Sequence, residues 1–165
     1  MTRYFMQSWK SHLCDQYLRE GDEGGILCET SSAKFAQLRV MEGDQIYAVF
    51  VRDGKLFLIG KMEVGRFASS WKEVVDLVGP NVYRGVKGAK YSFATYATRM
   101  SFNREMRIRV VKSLRFVSNR NPRLKFVDNG KLDRQTMRNL RELTQQSAAL
   151  LDSFLSDMEK VELNL

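Results

Sequence analysis

The feature that most constrains the fold is a β-hairpin at the centre of the sequence. Residues 45–52 are rich in β-branched and aromatic side chains, Asp53-Gly54 supplies a two-residue turn, and residues 55–64 form the returning strand. Just before the hairpin, residues 42–44 (Glu-Gly-Asp) predict a tight turn that starts the first strand. The centre of the chain therefore has to be built around a sheet.

Strand and helix patterns also occur on both sides of the hairpin. Strands are predicted at residues 4–9, 26–28, 90–97 and 105–112, with a further pair at residues 114–117 and 124–127. Helices are predicted at residues 12–19 and 69–78, and a helical turn after Ser31-Ser32. Central strands with flanking helices predict an α+β fold, built as a small curled sheet or partly open β-barrel.

A long C-terminal helix completes the predicted fold. Asp133 is a suitable N-cap. Apolar residues then recur at helical spacing, at Met137, Leu140, Leu143, Leu150, Phe154 and Met158. Residues 142–165 would form its acidic, amphipathic end, suited to act as a linker or to bind a partner protein or a second copy.

Length and composition favour a single domain over residues 1–165. Hydrophobic residues make up 44% of the chain and charged residues 28%, as in globular proteins. No apolar run approaches the ~20 residues of a membrane-spanning helix, and the N-terminus shows no signal-peptide core. Two cysteines and one histidine are few for a disulfide framework or a zinc site. We therefore expect a cytoplasmic protein with no metal and no cofactor.

Positive charge is concentrated in one segment, residues 104–141, which we call the basic segment. It holds 12 basic and three acidic residues, a net charge of +9, whereas the whole chain carries +8. Such a local excess attracts polyanions and speeds their encounter with the protein, which favours nucleic acid as the partner. The alternative is a solvated surface that only prevents aggregation.

Arginines in and near the predicted C-terminal helix are the main candidates for phosphate contacts. Arg134, Arg138 and Arg141 are spaced to project from one helix face, and a guanidinium group can bind phosphate with two hydrogen bonds. Alternatively, they pair with Glu142 or Asp133 on an exposed face. The full set of predicted phosphate contacts is Arg107, Arg109, Arg120, Arg123, Lys125, Arg134, Arg138 and Arg141.

The sequence contains no recognisable catalytic set. His12 with Cys14 or Cys28 would be the only Cys–His pairs, but His12 and Cys14 are two residues apart and would face different sides of a helix. Residues 21–25 have acidic residues between their glycines, which would repel phosphate. We therefore expect a binding protein, with a hydrolase acting on nucleotides or RNA as an alternative.

Aromatic residues form a second group of candidates. Trp9 ends the first strand, Trp71 begins a helix, and Tyr83, Tyr91, Phe93 and Tyr96 cluster around a glycine-rich loop. An aromatic face near a strand end can stack on a nucleobase. Large aromatic side chains also fill protein cores, so each of these residues has both interpretations.

Taken in order, three segments resemble the PUA-like superfamily, in particular its EVE and YTH branches. They are residues 3–11 (RYFMQSWKS), 38–47 (LRVMEGDQIY) and 58–64 (LIGKMEV). The resemblance covers about the first 65 residues by motif and the rest only by element order. It implies a five- or six-stranded barrel with flanking helices and a pocket for a flipped, often methylated, base.

Transferred to this sequence, the resemblance implies a base pocket between two strands. The first side is formed by Ser8, Trp9 and Lys10, and the opposite side by residues 27–30, which include Leu27, Cys28, Glu29 and Thr30. Trp71, or an aromatic of residues 83–96 such as Tyr91, would be the second aromatic wall. The sequence departs from the YTH pattern at residues 25–27 (Gly-Ile-Leu), where YTH domains often carry a tryptophan.

These features together predict a non-enzymatic reader that binds DNA or RNA and recognises a modified base, alone or as the targeting part of a nuclease system. The basic segment would hold the phosphate backbone without specifying sequence. The alternative from another class is a protein-interaction module that associates through the C-terminal helix.

Overall fold

The computed structural model describes residues 1–165 except residues 22, 23, 81, 83 and 138. Its strands are β1 (Tyr4–Trp9), β2 (Glu29–Ser32), β3 (Gln45–Arg52), β4 (Lys55–Phe67), β5 (Lys90–Thr98), β6 (Leu140–Leu143) and β7 (Lys160–Glu162). Its helices are α1 (Ser11–Arg19), α2 (Trp71–Val78), α3 (Ile108–Ser113) and α4 (Gln145–Phe154), with a 3₁₀ turn at Arg134–Met137. The α+β prediction is confirmed.

The strands form one curled, partly open sheet in the order β2-β5-β4-β3-β1-β6, and β7 pairs with β5. Strands β1 and β3 run parallel, whereas the other pairs are antiparallel. Register shifts interrupt the β3–β4 and β4–β5 ladders. Such irregularities bend strands and increase twist, which allows the sheet to curl into a half-barrel.

The central hairpin is buried on both faces, which explains why its sequence is almost continuously apolar. In β3, Ile46, Ala48 and Phe50 pack in one core cluster, while Tyr47, Val49 and Val51 pack in the other. Alternate side chains of a strand point to opposite faces, so a run of six buried residues places β3 between two cores. At its end, Asp53 and Gly54 have φ values of 52° and 73°, as a type I′ turn requires.

Local signals for the first two helices are confirmed. Helix α1 covers the predicted residues 12–19. Helix α2 begins after Ser70, whose hydroxyl accepts a hydrogen bond from Glu73 N at 3.2 Å, and the Glu73 carboxylate accepts one from Ser69 N at 2.7 Å. This reciprocal arrangement satisfies the unpaired N–H groups at the helix start.

The predicted long C-terminal helix is wrong. Residues 133–165 form the 3₁₀ turn, β6, α4 and β7 in succession. Leu140 and Leu143 are buried because β6 pairs with β1 and continues the sheet. A new helix starts only at Thr144, whose hydroxyl accepts from Ser147 N. Leu151 and Leu155 are buried in the core as well, so the predicted 142–165 helix and its exposed association surface do not exist.

The prediction also fails across much of the basic segment. Residues 105–112 were predicted as a strand, but they overlap helix α3, which follows its N-cap residue Arg107. Ile108 is exposed, although the alternation of a strand would bury it. Residues 114–117 and 124–127 form no strand pair; instead Phe116 bridges Leu143 and Phe126 bridges Leu132.

Two predictions near the N-terminus also differ from the structure. Residues 26–28 were predicted as a strand but contribute one bridge, from Ile26 to Arg99, and β2 begins after them. After Ser32 the chain makes turns rather than a helix.

Across the part of the chain that the structure describes, no helix is long and apolar enough to cross a membrane.

Candidate functional site

A cavity of about 340 Å³ lies where β1 ends, and we call it the Trp9 cavity. One side is formed by the end of β1 and by α1, a second by β2, and a third by the loop of residues 85–89. Its lining residues are Gln7, Ser8, Trp9, Lys10, Leu13, Tyr17, Glu29, Thr30, Ser31, Ser32, Ala33, Gly85, Val86, Ala89 and Asn139. The structure therefore brings together Ser8, Trp9, Lys10 and Thr30 of the predicted base pocket.

The aromatic wall of this cavity is built from β1 and α1. The Trp9 ring stacks on Tyr17 with a centroid distance of 5.7 Å, and Tyr17 in turn stacks on Phe102 at 6.0 Å. Both Trp9 and Tyr17 are partly buried and line the cavity. Flat apolar surfaces of this kind suit a planar heterocycle, because offset stacking is favourable between aromatic groups. Tyr17, and neither Trp71 nor Tyr91, is the second aromatic residue among the described residues that line this cavity.

A buried polar network fixes the floor between β1 and β2. Gln7 Nε2 donates to Ser31 O at 2.6 Å, and Thr30 Oγ1 donates to Gln7 Oε1 at 2.6 Å. Gln7 and Thr30 are both buried, with 6% and 4% of their surface exposed. Since both ends of the Gln7 amide are engaged, its orientation is determined and this part of the cavity is rigid.

Glu29 supplies the only acidic side chain among the described residues that line the cavity. Burial raises the pKa of its carboxyl group to about 8, because the charged form loses its hydration. No hydrogen bond or ion pair joins this carboxyl group to another residue of the described chain. At neutral pH much of Glu29 is therefore a neutral carboxylic acid, which carries one donor and one acceptor.

The remaining predicted pocket residues lie around the cavity rather than in it. Leu27 and Cys28 line a neighbouring cavity of about 180 Å³, which shares Trp9, Tyr17 and Glu29 with the Trp9 cavity. Burial raises the pKa of the Cys28 thiol, so it holds its proton. Burial likewise raises the pKa of the Cys14 thiol to about 12.

Trp71 and Tyr91 pack against each other outside the Trp9 cavity. Their rings lie 5.2 Å apart, and the Arg84 guanidinium group lies 5.7 Å from the Trp71 ring. The Tyr91 hydroxyl accepts a hydrogen bond from Gly85 N at 2.9 Å, which anchors the loop that closes one side. Of the other aromatic candidates, Phe93 is buried, Tyr96 lies beneath Lys160, and Tyr83 is outside the described residues.

The basic segment lines the Trp9 cavity at Asn139 and an adjoining cavity at Arg134. The adjoining cavity, of about 390 Å³, is also lined by His12, and it shares Ser8, Trp9, Lys10 and Asn139 with the Trp9 cavity. Trp9 and Lys10 therefore line both cavities. An anionic group that extends from the Trp9 cavity into the adjoining one would meet two cations, Lys10 and Arg134.

The predicted helix face of three arginines is wrong. Arg134 lies in the 3₁₀ turn and Arg141 in β6, while Arg138 is outside the described residues. The Arg141 guanidinium carbon lies 3.7 Å from the centre of the Phe116 ring. Its nitrogens donate to Thr136 O at 3.0 Å and to Asn121 O, and burial lowers its pKa. Arg141 thus holds three chain segments together.

Exposed cations nevertheless dominate the basic segment. Arg104 pairs with Asp157, and Arg115 donates to the carbonyl oxygens of Lys112 and Leu114, so both have internal partners. Within the described chain, seven other cations are exposed and have no hydrogen bond from the side chain, ion pair or ring contact. They are Arg107, Arg109, Arg120, Arg123, Lys125, Lys131 and Arg134.

A separate polar cavity of about 350 Å³ contains further cations. Lys34, Lys125 and Arg141 line it, together with Asp133 and several hydroxyl and amide groups. Lys34 directly follows Ala33 of the Trp9 cavity. The alternative pairing of the arginines with acids is not seen among the described residues, since Glu142 pairs with Arg3 and Asp133 accepts from Gln135 N.

No family model matches the sequence, and no curated protein matches it.

The fold was also compared with solved structures, and the backbone similarity found is partial. One similar structure is a hypothetical protein from Leishmania major, with a TM-score of 0.48 and 11% identity; the match covers 94% of this chain and 96% of that one. The YTH domain of the MRB1 protein of Zygosaccharomyces rouxii, in complex with N6-methyladenosine RNA, has a TM-score of 0.47 and 16% identity, covering 99% and 90%. A mutant ASCH protein from Zymomonas mobilis has a TM-score of 0.41 and 10% identity, covering 94% and 99%. Similarity at this level indicates nothing on its own about function.

Proposed function

We propose that this protein is a nucleic-acid reader that takes one base, extruded from its stack, into the Trp9 cavity. The observation that carries the proposal is the meeting of a base-sized aromatic cavity with unpaired cations. The cavity volume of 340 Å³ lies at the lower end of the ~300–1,000 Å³ typical of ligand pockets. The stacked Trp9 and Tyr17 rings and the adjoining Lys10 and Arg134 supply the two kinds of contact that a nucleotide needs.

The free-energy cost of extruding a base and the gain from binding it in a cavity are of similar size. Taking a base out of its stack costs a few kcal/mol. Stacking on an aromatic side chain returns ~1–3 kcal/mol per base, and hydrogen bonds to the base edge add to this. The seven exposed cations of the basic segment would bind phosphate groups and so supply affinity that is independent of sequence.

The apolar part of the lining favours a methylated base. Leu13, Val86 and Ala89 face the same cavity as Trp9, and Val86 is 59% exposed at its edge. A methyl group on the base would be removed from water by these side chains, which is favourable by ~0.8 kcal/mol for a fully buried group. This agrees with the PUA-like resemblance in the N-terminal residues.

The proposal is for binding without turnover. A thiol is a nucleophile only as the thiolate, and burial keeps both Cys14 and Cys28 protonated. Incubation of labelled RNA and DNA with the protein and Mg²⁺ should leave both intact, and cleavage with turnover would contradict the proposal.

A panel of labelled oligonucleotides tests the binding. The strands are RNA and DNA, single- and double-stranded, each with one position that is unmodified, methylated (N6-methyladenine or 5-methylcytosine) or abasic. We expect the methylated strand to bind most tightly and the abasic strand, with the same number of phosphates, most weakly. Equal affinity of the abasic strand would contradict the base cavity, and affinity that ignores salt would contradict the role of the basic segment.

A further inference from the structure

Glu29 is an acidic residue in the lining of a cavity that is proposed to receive part of a polyanion. It lines both the Trp9 cavity and the smaller neighbouring cavity, as Trp9 and Tyr17 do. An ionised carboxylate there would repel the phosphates of the bound strand. A neutral carboxylic acid removes this repulsion and adds a hydrogen-bond donor.

Several polar groups near Glu29 already have hydrogen-bond partners within the protein, whereas its own carboxyl group does not. The amide of Gln7 is engaged by Ser31 O and by the Thr30 hydroxyl. The Tyr91 hydroxyl is engaged by Gly85 N. The Glu29 carboxyl group, in contrast, makes no hydrogen bond or ion pair within the described chain, although it is partly buried. Its oxygens are therefore available to hydrogen-bond a ligand in the cavity.

We infer that Glu29, acting as a neutral carboxylic acid, binds the hydrogen-bonding edge of the extruded base and so admits adenine and cytosine, which a carboxylate would reject. This inference rests on the proposed function. Adenine and cytosine each present an amino donor next to a ring-nitrogen acceptor, which match the carbonyl and hydroxyl of the acid. Guanine presents its N1–H donor between the O6 acceptor and the N2 amino donor, so it matches either the neutral acid or the carboxylate. Glu29 is thus a specificity-determining residue whose protonation decides whether adenine and cytosine are bound.

The groups that face Glu29 are consistent with this protonation state. The residues that line the two cavities with Glu29 include Lys10, between β1 and α1, Tyr17 of α1, the adjacent Cys28, and the apolar Val86 of the loop anchored by Tyr91. Lys10 is exposed and makes no ion pair with Glu29. Burial is accordingly the cause that raises the Glu29 pKa to about 8, and the acid should lose its proton as pH rises through this value.

The test uses the full chain and short single strands that are abasic except for one adenine, cytosine or guanine. With a pKa of about 8, wild-type affinity for the adenine or cytosine strand should fall roughly five- to tenfold between about pH 6.5 and about pH 8.8, while affinity for the guanine strand changes less. Glu29→Gln keeps one donor and one acceptor at every pH, so it should bind the adenine strand tightly at both. Glu29→Ala should bind the adenine strand more weakly than wild type at about pH 6.5.

The controls separate this inference from the proposed function. The all-abasic strand measures the part of the pH dependence that does not involve a base in the cavity. Glu29→Gln with the wild-type pH dependence, or Glu29→Ala with wild-type affinity for the adenine strand at about pH 6.5, would overturn the role of Glu29 while leaving the base cavity intact. A Glu29 carboxyl group that titrates near its usual pKa of 4.5 in a ¹³C NMR experiment would overturn it too. Failure of wild type to distinguish any base from an abasic site would instead contradict the proposed function.

Discussion

Among the residues that the structure describes, a single cation, Lys10, lines the concave and partly apolar Trp9 cavity, whereas the basic segment is exposed along much of its length and carries seven cations without partners. The first can hold one planar group in a defined orientation. The second can attract any polyanion but offers no geometry that distinguishes one base from another. The two regions meet at Arg134, which shares a cavity with Trp9. Their difference assigns discrimination to the cavity and general affinity to the segment.

Removing the stacking surface should produce the largest effect on discrimination. Trp9→Leu keeps apolar bulk but loses the flat ring, so the preference for a base over an abasic site should fall about 5- to 150-fold, as expected for ~1–3 kcal/mol of stacking. Trp71→Leu is the matched control, because Trp71 lies outside the Trp9 cavity. Fluorescence polarisation measures both, and thermal melts confirm that each variant is folded. Equal losses in the two variants would break the assignment of discrimination to the cavity.

Removing exposed cations should weaken binding to every strand alike. In the triple variant Arg120→Ala/Arg123→Ala/Lys125→Ala, affinity for abasic and base-containing strands should fall by the same factor. The slope of log K against log salt should become shallower by about 2, because each phosphate contact on a single strand contributes ~0.7. A change in base preference, or an unchanged salt slope, would contradict the role given to the basic segment.

Arg134 and Arg141 test the same comparison inside the basic segment. Arg141→Ala removes hydrogen bonds to the Thr136 and Asn121 carbonyl oxygens and the contact with Phe116, so it should lower the free energy of unfolding by about 1–3 kcal/mol. Arg134→Ala removes an exposed side chain and should change stability by less than about 0.5 kcal/mol while weakening binding. Chemical denaturation and binding titrations measure the two effects. The reverse pattern would show that Arg141 is the phosphate contact.

Much of the fold could be predicted from the sequence where local and tertiary signals agree. The Asp53-Gly54 hairpin and the Ser69-Ser70 start of α2 rest on local hydrogen bonding and turn geometry, and both are confirmed. The C-terminal helix failed because Leu140 and Leu143 are spaced as on a helix but are buried by pairing with β1, a contact over more than 130 residues. Strand addition at a sheet edge leaves little trace in local periodicity.

Some residues of the candidate site could likewise be predicted from the sequence, and others could not. Ser8, Trp9, Lys10 and Thr30 were predicted from the PUA-like resemblance, and the structure brings them to one cavity although β1 and β2 are not adjacent in the sheet. Tyr17 was missed, although its spacing from Leu13 on the predicted α1 places both on one helix face. The loop of residues 85–89 could not be placed from sequence, because its position depends on a hydrogen bond from Gly85 N to the Tyr91 side-chain hydroxyl, which no local sequence pattern predicts.

The fluorescence of Trp9 tests the central claim most directly. In the Trp71→Phe variant, Trp9 is the only tryptophan of the chain, and a base stacked on it would alter its emission. Titration with a strand that carries one methylated base should give a saturating change in Trp9 emission, and an all-abasic strand of equal length should give none at the same occupancy. Saturated binding of the methylated strand with unchanged Trp9 emission would contradict the base-binding role of the Trp9 cavity.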